Sequence, residues 1–150
     1  MSRTVDVLLV EDNEDHIFLT KKALEKSVAA ADFADLKVHV VKDGVAAIDF
    51  VNKQPPHETA PTPDLILLDI KLPNKNGFEV LANFKADERH RAIPVVMLTS
   101  SDAEVDIAHS YNLGSNSYIT KPIETDELFK KLKNVPDYWV KTNTLPRKAE

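Results

Sequence analysis

The chain has 150 residues, 43% of them hydrophobic, which suits one buried core rather than two. Lys and Arg number 19 against 24 Asp and Glu, a formal net charge of −5, so the field of the chain opposes a nucleic-acid backbone and no nucleic-acid partner is expected. Cysteine is absent, which excludes disulfides, thiolate metal sites and a cysteine nucleophile; there is no signal-like segment in Met1 to Asp6 and no apolar run near the ~18 residues of a membrane span, so a cytoplasmic protein without membrane contact is expected.

In chain order, Val7 to Val10 is an uninterrupted apolar run stopped by Glu11-Asp12-Asn13, the pattern of a strand buried on both faces. A helix follows, with Ile17, Leu24 and Val28 on its apolar face, and Ala29 to Asp35 reads as an overlong exit from it. Val38 to Val41 is the second strand. Gln54 to Pro63, with Pro55, Pro56, Pro61 and Pro63, is denied both helix and central strand and reads as a surface loop. Leu65 to Leu68 is the third strand, followed by a helix carrying Leu81 and Phe84 behind Asn76 as its cap. Val95 to Leu98 and Tyr118-Ile119 are the fourth and fifth strands. Ser101-Asp102 before Ala103-Glu104, and Thr125-Asp126-Glu127, are expected to supply capping side chains or early acidic residues to the helices there, the fifth carrying Leu128 and Leu132 and ending near Asn134. Five strand–helix units imply an α/β fold, a doubly wound parallel sheet covered on both faces with right-handed crossovers.

In such a sheet ligands gather beyond the carboxyl ends of the strands. Glu11 and Asp12 end the first strand and Asp69 the third. Any one of these acids alone reads as loop solvation or a helix cap, but three on neighbouring strands need a proton or a cation among them. With oxygen ligands dominating, a hard cation is favoured, and Mg2+ asks for fewer protein oxygens than calcium. Thr99 ends the fourth strand and Lys121 the fifth, adding a hydroxyl and an ammonium. Carboxylate, cation, ammonium and hydroxyl are the parts needed to form and hold an aspartyl phosphate. His16, His39, His57, His90 and His109 show no ligand spacing and read as surface or helix-face residues. Ser100 and Ser101 lack a nucleophile elbow, and Gly44, Gly77 and Gly114 stand too far apart for a phosphate-cradling loop.

Val7 to Asn13, Asp64 to Pro73 with Gly77, Val95 to Ser100 and Ser117 to Pro122 resemble, in order and spacing, the receiver domain of two-component response regulators, over roughly Val5 to Asn134. The resemblance implies a flavodoxin-like (βα)5 fold with strand order 2-1-3-4-5. It implies Asp69 as the phosphoacceptor, Glu11, Asp12, Asp69 and the Lys71 backbone carbonyl as Mg2+ ligands, and Thr99 and Lys121 in contact with the phosphoryl group. It also implies a cis peptide between Lys121 and Pro122, and Tyr118 as a switch aromatic that turns inward when Thr99 is drawn to the phosphoryl group; an ordinary surface aromatic is the alternative for Tyr118. Glu11 stands where the family often has Asp, a longer ligand expected to reach the metal through water. Lys71 and Ser101 occupy positions that tune phosphoryl lifetime in the family.

Residues 1–134 are thus expected to form the receiver domain and 135–150 a C-terminal extension too short for an output domain, so output is expected through protein binding. Tyr138-Trp139 is an apolar pair that docks either on a partner or on the domain itself. The pair, a later Leu145-Pro146 and the Pro-rich insertion resemble single-domain regulators paired with bacterial phytochrome histidine kinases. That likeness implies a sensor histidine kinase as phosphodonor and a homodimer through the fourth helix, fifth strand, fifth helix and tail. The chain is not expected to be an enzyme beyond promoting its own phosphorylation and dephosphorylation. An aspartyl-phosphate hydrolase is one alternative, though Lys71 stands where such enzymes place a second acid. A phosphorylation-independent interaction module is another.

Overall fold

Side chains alternate along a strand, so a sheet covered on both faces needs apolar residues at consecutive positions. The computed structural model, which describes residues 4–29 and 35–146, realises this with five parallel strands in the order β2-β1-β3-β4-β5. These are β1 (Val5–Val10), β2 (Leu36–Val41), β3 (Leu65–Leu68), β4 (Val95–Thr99) and β5 (Ser117–Thr120). Between and after them run α1 (Glu14–Ala29), α2 (Gly44–Val51), α3 (Gly77–Ala86), α4 (Glu104–Asn112) and α5 (Thr125–Pro136). The expected flavodoxin-like architecture and strand order are therefore observed. The side chain of Val28 and the stretch 30–34, within the expected helix exit, lie outside the described residues.

Alternation divides the core in two. Val7 and Leu9 of β1, Leu65 and Leu67 of β3, and Val96 and Leu98 of β4 pack with Ile17 and Leu24 of α1 and Leu128 and Leu132 of α5. Leu8, Val10, Ile66, Leu68 and Met97 face the other way, onto Phe50 of α2 and Val80, Leu81 and Phe84 of α3. Each such side chain, withdrawn from water, contributes about 1.5–3 kcal/mol against the entropy of ordering the chain. Strands β2 and β5, at the edges, are mostly half-buried.

Asn76 caps α3 as expected, in a reciprocal box with Glu79: its side chain accepts from Glu79 N at 3.0 Å while Glu79 Oε1 accepts from Asn76 N at 3.4 Å. At α4 and α5 the expected early acidic residues are present and the side-chain caps are not formed. Ala103 and Glu124 occupy the cap positions of α4 and α5 without a side-chain bond, because Thr125 is already the first helical residue and Ser101 lies two residues before the α4 cap. Acidic residues still open both helices, Glu104 and Asp106 in α4 and Asp126 and Glu127 in α5, where the helix dipole favours them.

Helix α5 passes the expected end near Asn134, and a π-helical turn, Asp137–Thr142, continues it. Trp139 and Val140 pack against the α1/α5 core, and Leu145 is buried in it. Tyr138 meets the Trp139 ring edge-on at 5.2 Å yet stays 53% exposed. Of the two docking modes open to the aromatic pair, Trp139 takes the intramolecular one.

Candidate functional site

Register places the chemistry. Val10 pairs with Leu68 and Thr99 with Thr120, so Glu11, Asp69 and Lys121 are each the first residue past a strand pairing and Thr99 is the last within one. The main chain holds them there: Glu11 N donates to Val41 O at 3.1 Å, Asp69 N to Val10 O at 3.1 Å and Lys121 N to Thr99 O at 2.7 Å. Gly77 and Gly44 allow the loop after β3 to close over this edge. A Cβ on Gly77 would collide with the Asp69 carbonyl oxygen and one on Gly44 with the Lys75 carbonyl oxygen, so both helix starts need a residue without a side chain.

The three acids converge as expected, one carboxylate oxygen from each of Glu11, Asp12 and Asp69 lying within 4.8 Å of the others. Glu11 and Asp69 are buried and Asp12 is exposed. Glu11 is strongly held: one oxygen accepts from Asp12 N at 3.0 Å and Asn13 N at 3.2 Å, and the other pairs with the Lys121 ammonium. Lys121 also donates to Asp69 Oδ2 at 3.2 Å. The Lys121 side chain is buried, 2% exposed. Burial pushes the Glu11 carboxyl up to about 7, the neighbouring Asp69 carboxylate pushes it the same way, and the hydrogen bond from Lys121 only partly offsets them. Three converging hard oxygen donors suit a divalent cation.

Thr99 Oγ1 is buried with no hydrogen-bond partner. Buried hydroxyls are nearly always paired, and an unpaired one at the edge of an acidic cluster is a donor in want of an acceptor. Tyr118 on β5 is half-buried, and its hydroxyl donates to Ser101 O at 2.8 Å; Ser101 Oγ in turn donates to Asp106 Oδ2 at 2.6 Å. Lys71 is exposed on the loop two residues past Asp69. The peptide bond between Lys121 and Pro122, expected to be cis, is trans; among the described residues the cis bond is Pro55–Pro56 in the Pro-rich loop. Lys121 is aimed inward instead by its main-chain bond to Thr99 and by the two carboxylates around its ammonium.

His16, expected on a helix face, belongs to this site. Asn13 sits ahead of α1 with its side chain accepting from His16 N at 3.1 Å and its carbonyl from Ile17 N at 2.9 Å. This places the imidazole of the first turn over the strand ends, with Nδ1 3.0 Å from Lys121 Nζ and 3.6 Å from Glu11 Oε1. Burial, and then the Lys121 cation, hold the imidazole below the usual histidine range. No spacing rule reaches His16, because its place depends on where α1 starts rather than on a motif. Of the other histidines, His39 pairs with Asp6 at 2.9 Å and His90 is buried 3.5 Å from Asp87, so both are structural rather than free surface groups.

Comparison with known proteins identifies the family. The family model of the response regulator receiver domain matches residues 7–133. Response regulator Rcp1 of Synechocystis sp. is 40% identical over 140 residues, 93% of this chain and 92% of that protein. The crystal structure of the phosphorylated cyanobacterial phytochrome response regulator RcpA superposes with a TM-score of 0.90 at 41% identity, covering 97% of this chain and all (100%) of that one. That of the Mn(2+)-bound form of Rcp1 gives 0.87 at 38% identity, covering 95% and 99%. Since these likenesses span nearly the whole chain and carry the same five-stranded fold, the chain belongs to the response regulator receiver domain family.

Proposed function

We propose that Asp69 accepts a phosphoryl group from a sensor histidine kinase, and that phosphorylation changes which protein surfaces the domain binds. The observation that carries this reading is the pairing of a buried, partnerless Thr99 hydroxyl with a buried ammonium already directed at Asp69. In the transfer, an Asp69 carboxylate oxygen forms the new P–O bond as the bond from phosphorus to the donor nitrogen breaks, and the departing imidazole keeps the electron pair and takes up a proton. Lys121 and Thr99 are assigned to the phosphoryl oxygens, one as cation and the other as hydroxyl donor. Glu11, Asp12, Asp69 and the Lys71 carbonyl are assigned to Mg2+, with Glu11 acting through water because its oxygens are engaged by Asn13, Asp12 and Lys121. Magnesium supplies charge neutralisation for the transferring group. The domain catalyses nothing beyond its own phosphorylation and dephosphorylation.

Drawing Thr99 toward the phosphoryl group frees space behind it, and Tyr118 is assigned as the side chain that reads this, with Ser101 O its present anchor. The name of RcpA, a cyanobacterial phytochrome response regulator, supports a phytochrome-type kinase as donor. Residues 1–134 are read as the receiver domain and 135–150 as its extension, and the face of α4, β5 and α5 with the exposed Tyr138 as a homodimer surface. Among the described residues no helix is long and apolar enough to cross a membrane. Exposure to acetyl phosphate with and without Mg2+, followed by intact-mass analysis, tests the reading: one phosphoryl group is expected in the wild type with Mg2+ and none in Asp69→Asn.

A further inference from the structure

Lys121 has three N–H donors, and the structure offers them three acceptors: Glu11, Asp69 at 3.2 Å, and His16 Nδ1 at 3.0 Å. An ammonium has no acceptor atom, so the contact with His16 has a single sense, in which Nδ1 is the bare nitrogen and Nε2 carries the ring proton. The alternative partner, Glu11 Oε1, lies 3.6 Å from Nδ1, beyond hydrogen-bond reach. We propose that His16 is a positioning residue for the phosphorylation site, its neutral Nδ1 accepting from the Lys121 ammonium and holding it over Asp69. This rests on the reading of Asp69 as phosphoacceptor and adds to it a role for a side chain on α1.

Charge makes the residue type matter. Two of the acceptors of Lys121 are carboxylates, which attract the ammonium as strongly as the incoming phosphoryl group must. A third carboxylate at position 16 would tighten that hold. An apolar side chain there would leave one N–H of a buried ammonium without a partner, and the ammonium would turn further toward Glu11. A neutral nitrogen fills the third direction without competing electrostatically for the cation. The Asn13 cap fixes the first turn of α1 and with it the ring.

The test uses the full chain as wild type, His16→Leu and His16→Asn, the last because Asn Oδ1 occupies nearly the place of Nδ1 and accepts in the same direction. Two readouts are taken: the 15N-edited NMR resonance of the Lys121 ammonium without phosphodonor, and the initial rate of Asp69 labelling by acetyl phosphate at saturating Mg2+. In His16→Leu the ammonium resonance is expected to broaden away and labelling to slow about tenfold, the lower end of what a hydrogen bond to a charged group contributes. His16→Asn is expected to restore the resonance and bring the rate to within about threefold of wild type. A His16→Leu protein that keeps both wild-type resonance and rate overturns the proposal, as does an equal loss in His16→Leu and His16→Asn, which would make the imidazole a matter of packing. If the wild type takes no label while His16→Leu still loses the resonance, the phosphoacceptor reading fails and the positioning role for that reaction falls with it, although the hydrogen bond stands.

Discussion

Thr99 separates what a side chain does for the fold from what it does for the site. Its hydroxyl is buried without a partner, so Thr99→Val removes an unpaired polar atom at constant shape and is expected to leave stability unchanged or raise it by about 1 kcal/mol. Urea denaturation measures this, and a loss of stability of that size would mean that the hydroxyl has a structural partner. The same variant is expected to lose the conformational response to phosphorylation. The acids at 11, 12 and 69, the hydroxyl at 99 and the ammonium at 121 were legible in the sequence because each stands at or just past the end of an apolar run, and the strand order that the family resemblance implies sets those ends side by side. His16 was not legible, since its contact with Lys121 depends on where α1 starts and how it packs over the sheet edge rather than on a strand end.

Among the elements, α3 and the loop before it govern where Asp69 sits. Asn76→Ala breaks the capping box and is expected to cost about 1 kcal/mol. Gly77→Ala forces a methyl group into the Asp69 carbonyl and is expected to cost more, about 1–3 kcal/mol, and also to slow labelling by displacing the nucleophile. Denaturation of both variants compares them, and a Gly77→Ala protein as stable as Asn76→Ala would show that the close approach is relieved cheaply. Elements were read well where the apolar run was long or a cap was explicit, as at β3, which matches the expected residues, and at Asn76. Ser101 and Thr125 do not act as side-chain caps because α4 starts later and α5 earlier than those residues require, a shift of one or two residues that propensity does not resolve.

Over the whole molecule, the tail has two faces. Trp139 and Leu145 pack on the α1/α5 core while Tyr138 is exposed, so deleting residues 135–150 would strip the core of Val135 and Leu145 and confound any test of assembly. Leu145→Ala is expected to destabilise the folded chain by about 2 kcal/mol, near the lower limit for a buried leucine, whereas Tyr138→Ala is expected to leave stability within about 0.5 kcal/mol and weaken a dimer. Sedimentation at micromolar concentration distinguishes them, and a Tyr138→Ala protein that dimerises like wild type would remove Tyr138 from the interface. The sequence pattern left the tail undecided because an aromatic pair is equally suited to its own core or to a partner. Intact-mass and peptide-mapping spectrometry after acetyl phosphate treatment tests the role of Asp69 as phosphoacceptor most directly. The expected result is a single Mg2+-dependent phosphoryl adduct, located on Asp69 and absent from Asp69→Asn; an adduct elsewhere, or one of equal stoichiometry in Asp69→Asn, would contradict it.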